Sequence, residues 1–126
     1  MKTRIALIAL AVLTAFAALA EDAPKTPAGE ALAAWIESFN TDDVAARREF
    51  LKKHTALAEE DIERYAPMDV EVREEHGAFE IVKVTKSTDT SITAQLRHKG
   101  SGVSPTIEIS VEAEAPHRIT ELGLKM

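Results

Sequence analysis

The sequence predicts an α+β domain in which N-terminal helices pack on one face of a bent antiparallel sheet of four or more strands. Two observations carry this. Apolar residues recur with a helical period from about residue 27 to residue 54, and with a period of two from Ala78 onward. The strand runs are separated only by short turn-forming stretches at 86–90, 99–102 and 114–116, so neighbours join as hairpins and the sheet is antiparallel. Helices first and strands second is the α+β order, distinct from the alternation of parallel α/β folds.

Ahead of the domain, Lys2 and Arg4 form a basic start and residues 5–20 are apolar except for Thr14. Ala18 and Ala20 are small residues at the −3 and −1 positions of a cleavage site. These are the parts of a secretory signal peptide cut after Ala20, which places the mature protein in the periplasm or outside the cell. The apolar run is shorter than the ~20 residues that a membrane span needs, so none is expected in the mature protein. A flexible lead over 21–26 and a single domain over 27–126 follow.

Thr26 caps the first helix, and Pro27 at its first position gives up an N–H that would have no partner there. Leu32, Trp35, Ile36 and Phe39 form one apolar stripe. Asn40 suits the left-handed residue that closes a helix, and Thr41 suits the cap of the next. The second helix carries Asp42 and Asp43 in its first turn and Lys52, Lys53 and His54 in its last, matching the helix dipole. Val44, Phe50 and Leu51 face inward. Residues 58–66 are helix-prone, with Ile62 and Tyr65 on one side, and Pro67 is expected to interrupt them. Over 68–76 the reading is a helix closed by Gly77, with a strand as the alternative because Met68, Val70 and Val72 alternate.

Strands are predicted over 79–85, 91–98, 106–113 and 118–125. Ile92, Ala94, Leu96, Ile107, Ile109 and Val111 face the helices. Thr93, Gln95, Arg97, Glu108, Ser110 and Glu112 face away, and their mixed charges suit solvent or a modest wet interface. A monomer or weak homodimer is the expectation.

Composition excludes several functions. Asp and Glu number 21 against 15 Lys and Arg, and no basic cluster is large enough to release phosphate counterions, so no nucleic acid is expected. With no cysteine there is no disulfide, thiolate site, thiol nucleophile or lipid-anchored cysteine. His54, His76, His98 and His117 match no local metal-binding spacing. His54 and His76 lie at helix ends; His98 and His117 share a pocket rim if their strand ends meet. The acids Glu59, Glu60, Asp61, Glu63, Glu71, Glu74 and Glu75 lack the glycine-containing loop of a calcium hand and read as a solvated face. Gly100, Ser101 and Gly102 miss the G-x-S-x-G pattern and read as a hairpin loop. No cofactor and no metal site is expected.

The stretches Ala34-Trp35-Ile36-Glu37-Ser38-Phe39-Asn40, Arg47-Arg48-Glu49-Phe50-Leu51-Lys52-Lys53-His54, Gly77-Ala78-Phe79-Glu80 and Pro116-His117-Arg118-Ile119-Thr120-Glu121-Leu122 resemble the nuclear transport factor 2-like (cystatin-like) α+β folds. The nearer likeness is to the module that precedes the catalytic domain in secreted bacterial tail-specific peptidases and serine beta-lactamase-like hydrolases. The resemblance implies a roll or cone with an open mouth and carries no catalytic residue with it.

In such a cone Trp35, Phe39, Tyr65, Met68, His98 and His117 are the candidate ligand-binding residues, with Phe79 beside them. The inward strand positions are all apolar, which argues against a catalytic acid or base, because proton transfer needs a titratable group within reach of substrate. The expected function is a small exported non-catalytic module binding a small apolar ligand or another envelope protein. One alternative is a SnoaL-like cyclase or isomerase using Tyr65, His98 or His117. Another is a regulatory domain acting on a separately encoded serine hydrolase.

Overall fold

The structure is a computed structural model that describes residues 21–126. The expected signal peptide, residues 1–20, lies outside the described residues. Three helices, α1 (Pro27–Asn40), α2 (Val44–His54) and α3 (Glu59–His76), precede four strands, β1 (Phe79–Ser87), β2 (Ser91–His98), β3 (Thr106–Val111) and β4 (Ile119–Lys125). The strands form one open antiparallel sheet in the order β1-β2-β3-β4. The α+β class is therefore as the sequence predicts, with every connection a hairpin.

The core lies between α1 and the sheet. Leu32, Trp35 and Phe39 of α1 meet Ile92, Ala94, Leu96, Ile107, Ile109 and Val111, all buried and all at the inward strand positions. Ile92 stands opposite Ile109 and Ala94 opposite Ile107, so the alternation of both strands points at the same helix. Each fully buried Ile or Leu contributes about 1.5–3 kcal/mol, and this cluster has no disulfide to assist it. Register shifts at Ile81/Lys83, Val84/Lys86 and Ser110/Val111 mark irregularities that bend the edge strands.

Thr26 caps α1 as expected, its hydroxyl accepting from Gly29 N–H at 3.0 Å. The junction after α1 differs from the sequence reading. Asn40 remains in the helix, and its side chain clamps the start of β1: Nδ2 donates to Phe79 O (3.0 Å) and Oδ1 accepts from Phe79 N–H (2.8 Å). Thr41 closes α1 by donating its hydroxyl to Glu37 O, while Asp43 caps α2 through Ala45 N–H. The cap therefore lies two residues later than predicted, and the two acids precede the helix.

Pro67 does not interrupt the third helix, which runs unbroken from Glu59 to His76, so the strand alternative for 68–76 is excluded. Proline in a helix interior costs ~3 kcal/mol. Pro67 and Glu63 are both exposed, so the carbonyl that loses its donor is left to water. Gly77 ends α3 with φ 92°. It lies so close to the β2–β3 turn that an added Cβ would meet Gly100 N at 2.6 Å. Gly100 and Ser101 N–H groups in turn satisfy His76 O, giving the glycine-rich loop a helix-closing role. Glu21 lies against β1: its N–H donates to Ile81 O, and its carboxylate accepts from Val84 N–H.

Replacing Asn40 by Ala removes both bonds to Phe79 and leaves part-buried main-chain groups unsatisfied. A loss of about 1–3 kcal/mol is expected, read as a lower urea midpoint with unchanged m-value; a change within error would show that the clamp carries no stability.

Candidate functional site

The inner faces of α2 and α3 are only partly apolar. Leu51, Ile62 and Ala66 form a small second core, flanked by Val44, Phe50 and Tyr65. On the same stripes, Arg47 lies one turn before Leu51, and Asp69 lies one turn beyond Tyr65 and Ala66. Each stripe thus carries one charge, and the two are of opposite sign.

They meet. Arg47 is 1% exposed, and its Nε–H donates to Asp69 Oδ2 at 2.8 Å. Its Nη1 donates to Trp35 O of α1 at 3.2 Å. The guanidinium carbon lies 4.9, 5.3 and 5.8 Å from the ring centres of Trp35, Phe50 and Phe39. Nη2 has no hydrogen-bond partner among the described residues, and these ring faces are the electrostatic compensation available to it. Burial pushes the Arg47 guanidinium down from its ordinary pKa and the Asp69 carboxyl up, each against the pull of the other. Desolvation thus outweighs pairing for both groups.

α3 packs on α2 and scarcely touches the sheet. The space left between α3 and β4 is a cavity of about 340 Å³. Trp35, Leu51 and Ile119 supply buried apolar wall; Asp69, Tyr65, Thr55 and Glu121 supply polar groups. Leu57, Met68, Leu122 and Leu124 also line it, and they are 39, 46, 40 and 46% exposed. Apart from Met126, these four are the exposed large apolar residues of the described chain. Their confinement to one cavity separates them from singly scattered surface hydrophobics, which need no explanation.

Of the candidate ligand-binding residues, Trp35, Tyr65 and Met68 line this cavity. Phe39 and His98 do not: they belong to an aromatic stack in the core, with Phe39–Phe79 centroids at 4.5 Å and Phe79–His98 at 3.9 Å. His98 is 4% exposed, its Nδ1–H donates to Gly77 O at 2.9 Å, and burial pushes its pKa down. His117 lies at the opposite end of the sheet, so the two histidines share no rim. It lines a second cavity of about 260 Å³ together with His54 and Phe50, and its Nδ1–H donates to Glu112 O. Among the described residues no three His, Asp or Glu side chains are grouped to hold a metal ion. No helix there is long and apolar enough to cross a membrane.

The sequence reading missed Arg47 and Asp69, and its expectation of no buried acid or base beside the space is corrected by Asp69. The available signal was a charged residue occupying an apolar-stripe position on each of two successive helices. No protein-family model, curated protein or solved structure matches the chain.

Asp69→Ala leaves the buried Arg47 unpaired and is expected to cost ~3–5 kcal/mol. Arg47→Met combined with Asp69→Leu removes both charges and should recover most of that loss. Chemical denaturation of the wild type and these two variants checks this; a double variant no more stable than Asp69→Ala would contradict it.

Proposed function

We propose that this chain is a small binding module whose cavity takes a small, mainly apolar molecule bearing one hydrogen-bond donor. The observation that carries the reading is the cavity between α3 and β4: apolar walls, an exposed apolar rim, and Asp69 in its lining. Its volume of about 340 Å³ lies at the small end of the ~300–1,000 Å³ of ligand sites. A few polar groups in such a wall fix orientation, while apolar contact supplies most of the affinity. Asp69 Oδ2 is held by Arg47, which sets the carboxylate's position. Asp69 is the charged group that α3 brings to the lining, so neutral or cationic donors are favoured over anions. Export through the N-terminal leader, and a likeness to nuclear transport factor 2-like folds, belong to the same proposal.

A second reading, a cyclase or isomerase, is favoured by one observation. Asp69 is a carboxyl whose pKa burial raises, and it lines an apolar cavity with Tyr65; a general acid or base has that setting.

Trp35 is the sole tryptophan and lines the cavity, so its fluorescence reports occupancy. N-phenylnaphthylamine, an apolar probe with one N–H, is expected to quench it saturably at one site per chain. Met68→Lys at the rim should weaken binding by about tenfold or more, the effect of a charge on an apolar contact. Quenching that does not saturate, or that ignores Met68→Lys, would count against the cavity as a binding site.

A further inference from the structure

We propose that the outer edge of β4 is a homodimer interface, two copies pairing antiparallel about a two-fold axis at Gly123. The hydrogen bonding fixes which groups are available. Val111 N–H donates to Thr90 O, on the β2 side. Alternate residues of an antiparallel strand turn both main-chain groups to the same neighbour. Ser110 and Glu108 therefore face β4, where their partners are Glu121 and Gly123. Leu122 and Leu124 turn their N–H and C=O groups to the open side. Among the described residues, the one backbone pairing on that side is the bridge from Thr55 to Ile119, at the start of the strand.

Reversing β4 against itself about Gly123 places Leu122 opposite Leu124 of the second copy, and Leu124 opposite its Leu122. These are the residues whose main-chain groups are unpaired, so both become hydrogen-bonded pairs. The same register places Glu121 opposite Lys125 of the second copy, in non-hydrogen-bonded pairs, where side chains approach most closely. The axis repeats this ion pair. Among the described residues Lys125 has only a long, exposed pairing with Glu108, at 3.9 Å, and is available for it.

A strand with an acid near one end and a base near the other matches itself when reversed, which selects a second copy over a foreign peptide. The edge has no proline or buried charge to discourage pairing. The pairing would also cover the half-exposed Leu122 and Leu124. It would set Met126 of the second copy, 91% exposed in the single chain, opposite Thr120 of the cavity lining. Two strands this short bury less than the ~1,200 Å² of stable complexes, so the dimer is weak, with Kd above about 1 µM. The interface shares Glu121, Leu122 and Leu124 with the cavity lining, so it is tested on the ligand-free chain.

The chain has no cysteine, and a Cβ at Gly123 meets none of the described residues within 4 Å, so Gly123→Cys is a clean probe. A non-hydrogen-bonded pair sets the two Cα atoms at ~4.5 Å, within disulfide reach. Mild oxidation should link two Gly123→Cys chains at least about tenfold faster than Gln95→Cys chains, whose cysteine lies on the outward face of a central strand, because the interface raises the effective concentration. By sedimentation, Glu121→Lys and Lys125→Glu should each weaken the wild-type dimer by about tenfold, and the double variant should restore it. Cross-linking no faster than in the Gln95→Cys control would overturn the proposal. So would a strictly monomeric wild type at high concentration, or a charge-reversed double variant no better than the singles.

Discussion

Arg47 joins three helices through one side chain. It grows from α2, donates to Asp69 on α3 and to the Trp35 carbonyl on α1, and lies against the rings of Trp35, Phe39 and Phe50. Burying a guanidinium this far costs several kcal/mol, and attraction to one carboxylate does not fully offset it. Two apolar residues of similar volume would give equal or greater stability, so the pair is better understood by what it specifies. A hydrogen-bonded fork tolerates one arrangement of its partners, whereas apolar stripes slide. It sets where α3 lies relative to α1 and α2, with little help from the sheet.

The cavity follows from that placement. α1 lies flat on the strands and seals them with Leu32, Trp35 and Phe39. The chain then leaves α2, touches β4 once through Thr55 and Ile119, and turns away into α3. Held to α2 by Arg47 and by the small Leu51, Ile62 and Ala66 cluster, α3 stands off β4 and leaves the gap unfilled. One carboxylate therefore serves both fold and site: Asp69 anchors Arg47 and lines the cavity.

Much of the fold was legible in the sequence because it obeys simple periods. Ile92, Ala94 and Leu96 alternate without exception, and β2 spans the predicted residues 91–98. That alternation continues to His98, whose burial could have been read from parity rather than from residue type. The errors arose where one local signal was weighed without its tertiary partner. Asn40 has the chemistry of a left-handed cap, yet its amide matches both main-chain groups of Phe79, 39 residues away. Pro67 breaks an isolated helix, yet on an exposed face it is tolerated when the opposite face is packed. Of the site, the walls Trp35, Tyr65 and Met68 were legible as large residues near a helix–sheet junction. Arg47 and Asp69 were not, because a charge in a helix defaults to solvent until its partner, 22 residues away, is known.

The central claim is that Arg47 is an ordered, solvent-excluded tie between helices, and its own Nε–H proton is the most direct witness. In ¹⁵N-resolved NMR at neutral pH, that proton should give a sharp signal that exchanges slowly with water and shifts when Asp69 is replaced by Asn. Arg64, whose side chain is 65% exposed, is the internal comparison and should exchange rapidly. An Arg47 Nε–H that exchanges as fast as that of Arg64 would contradict the account.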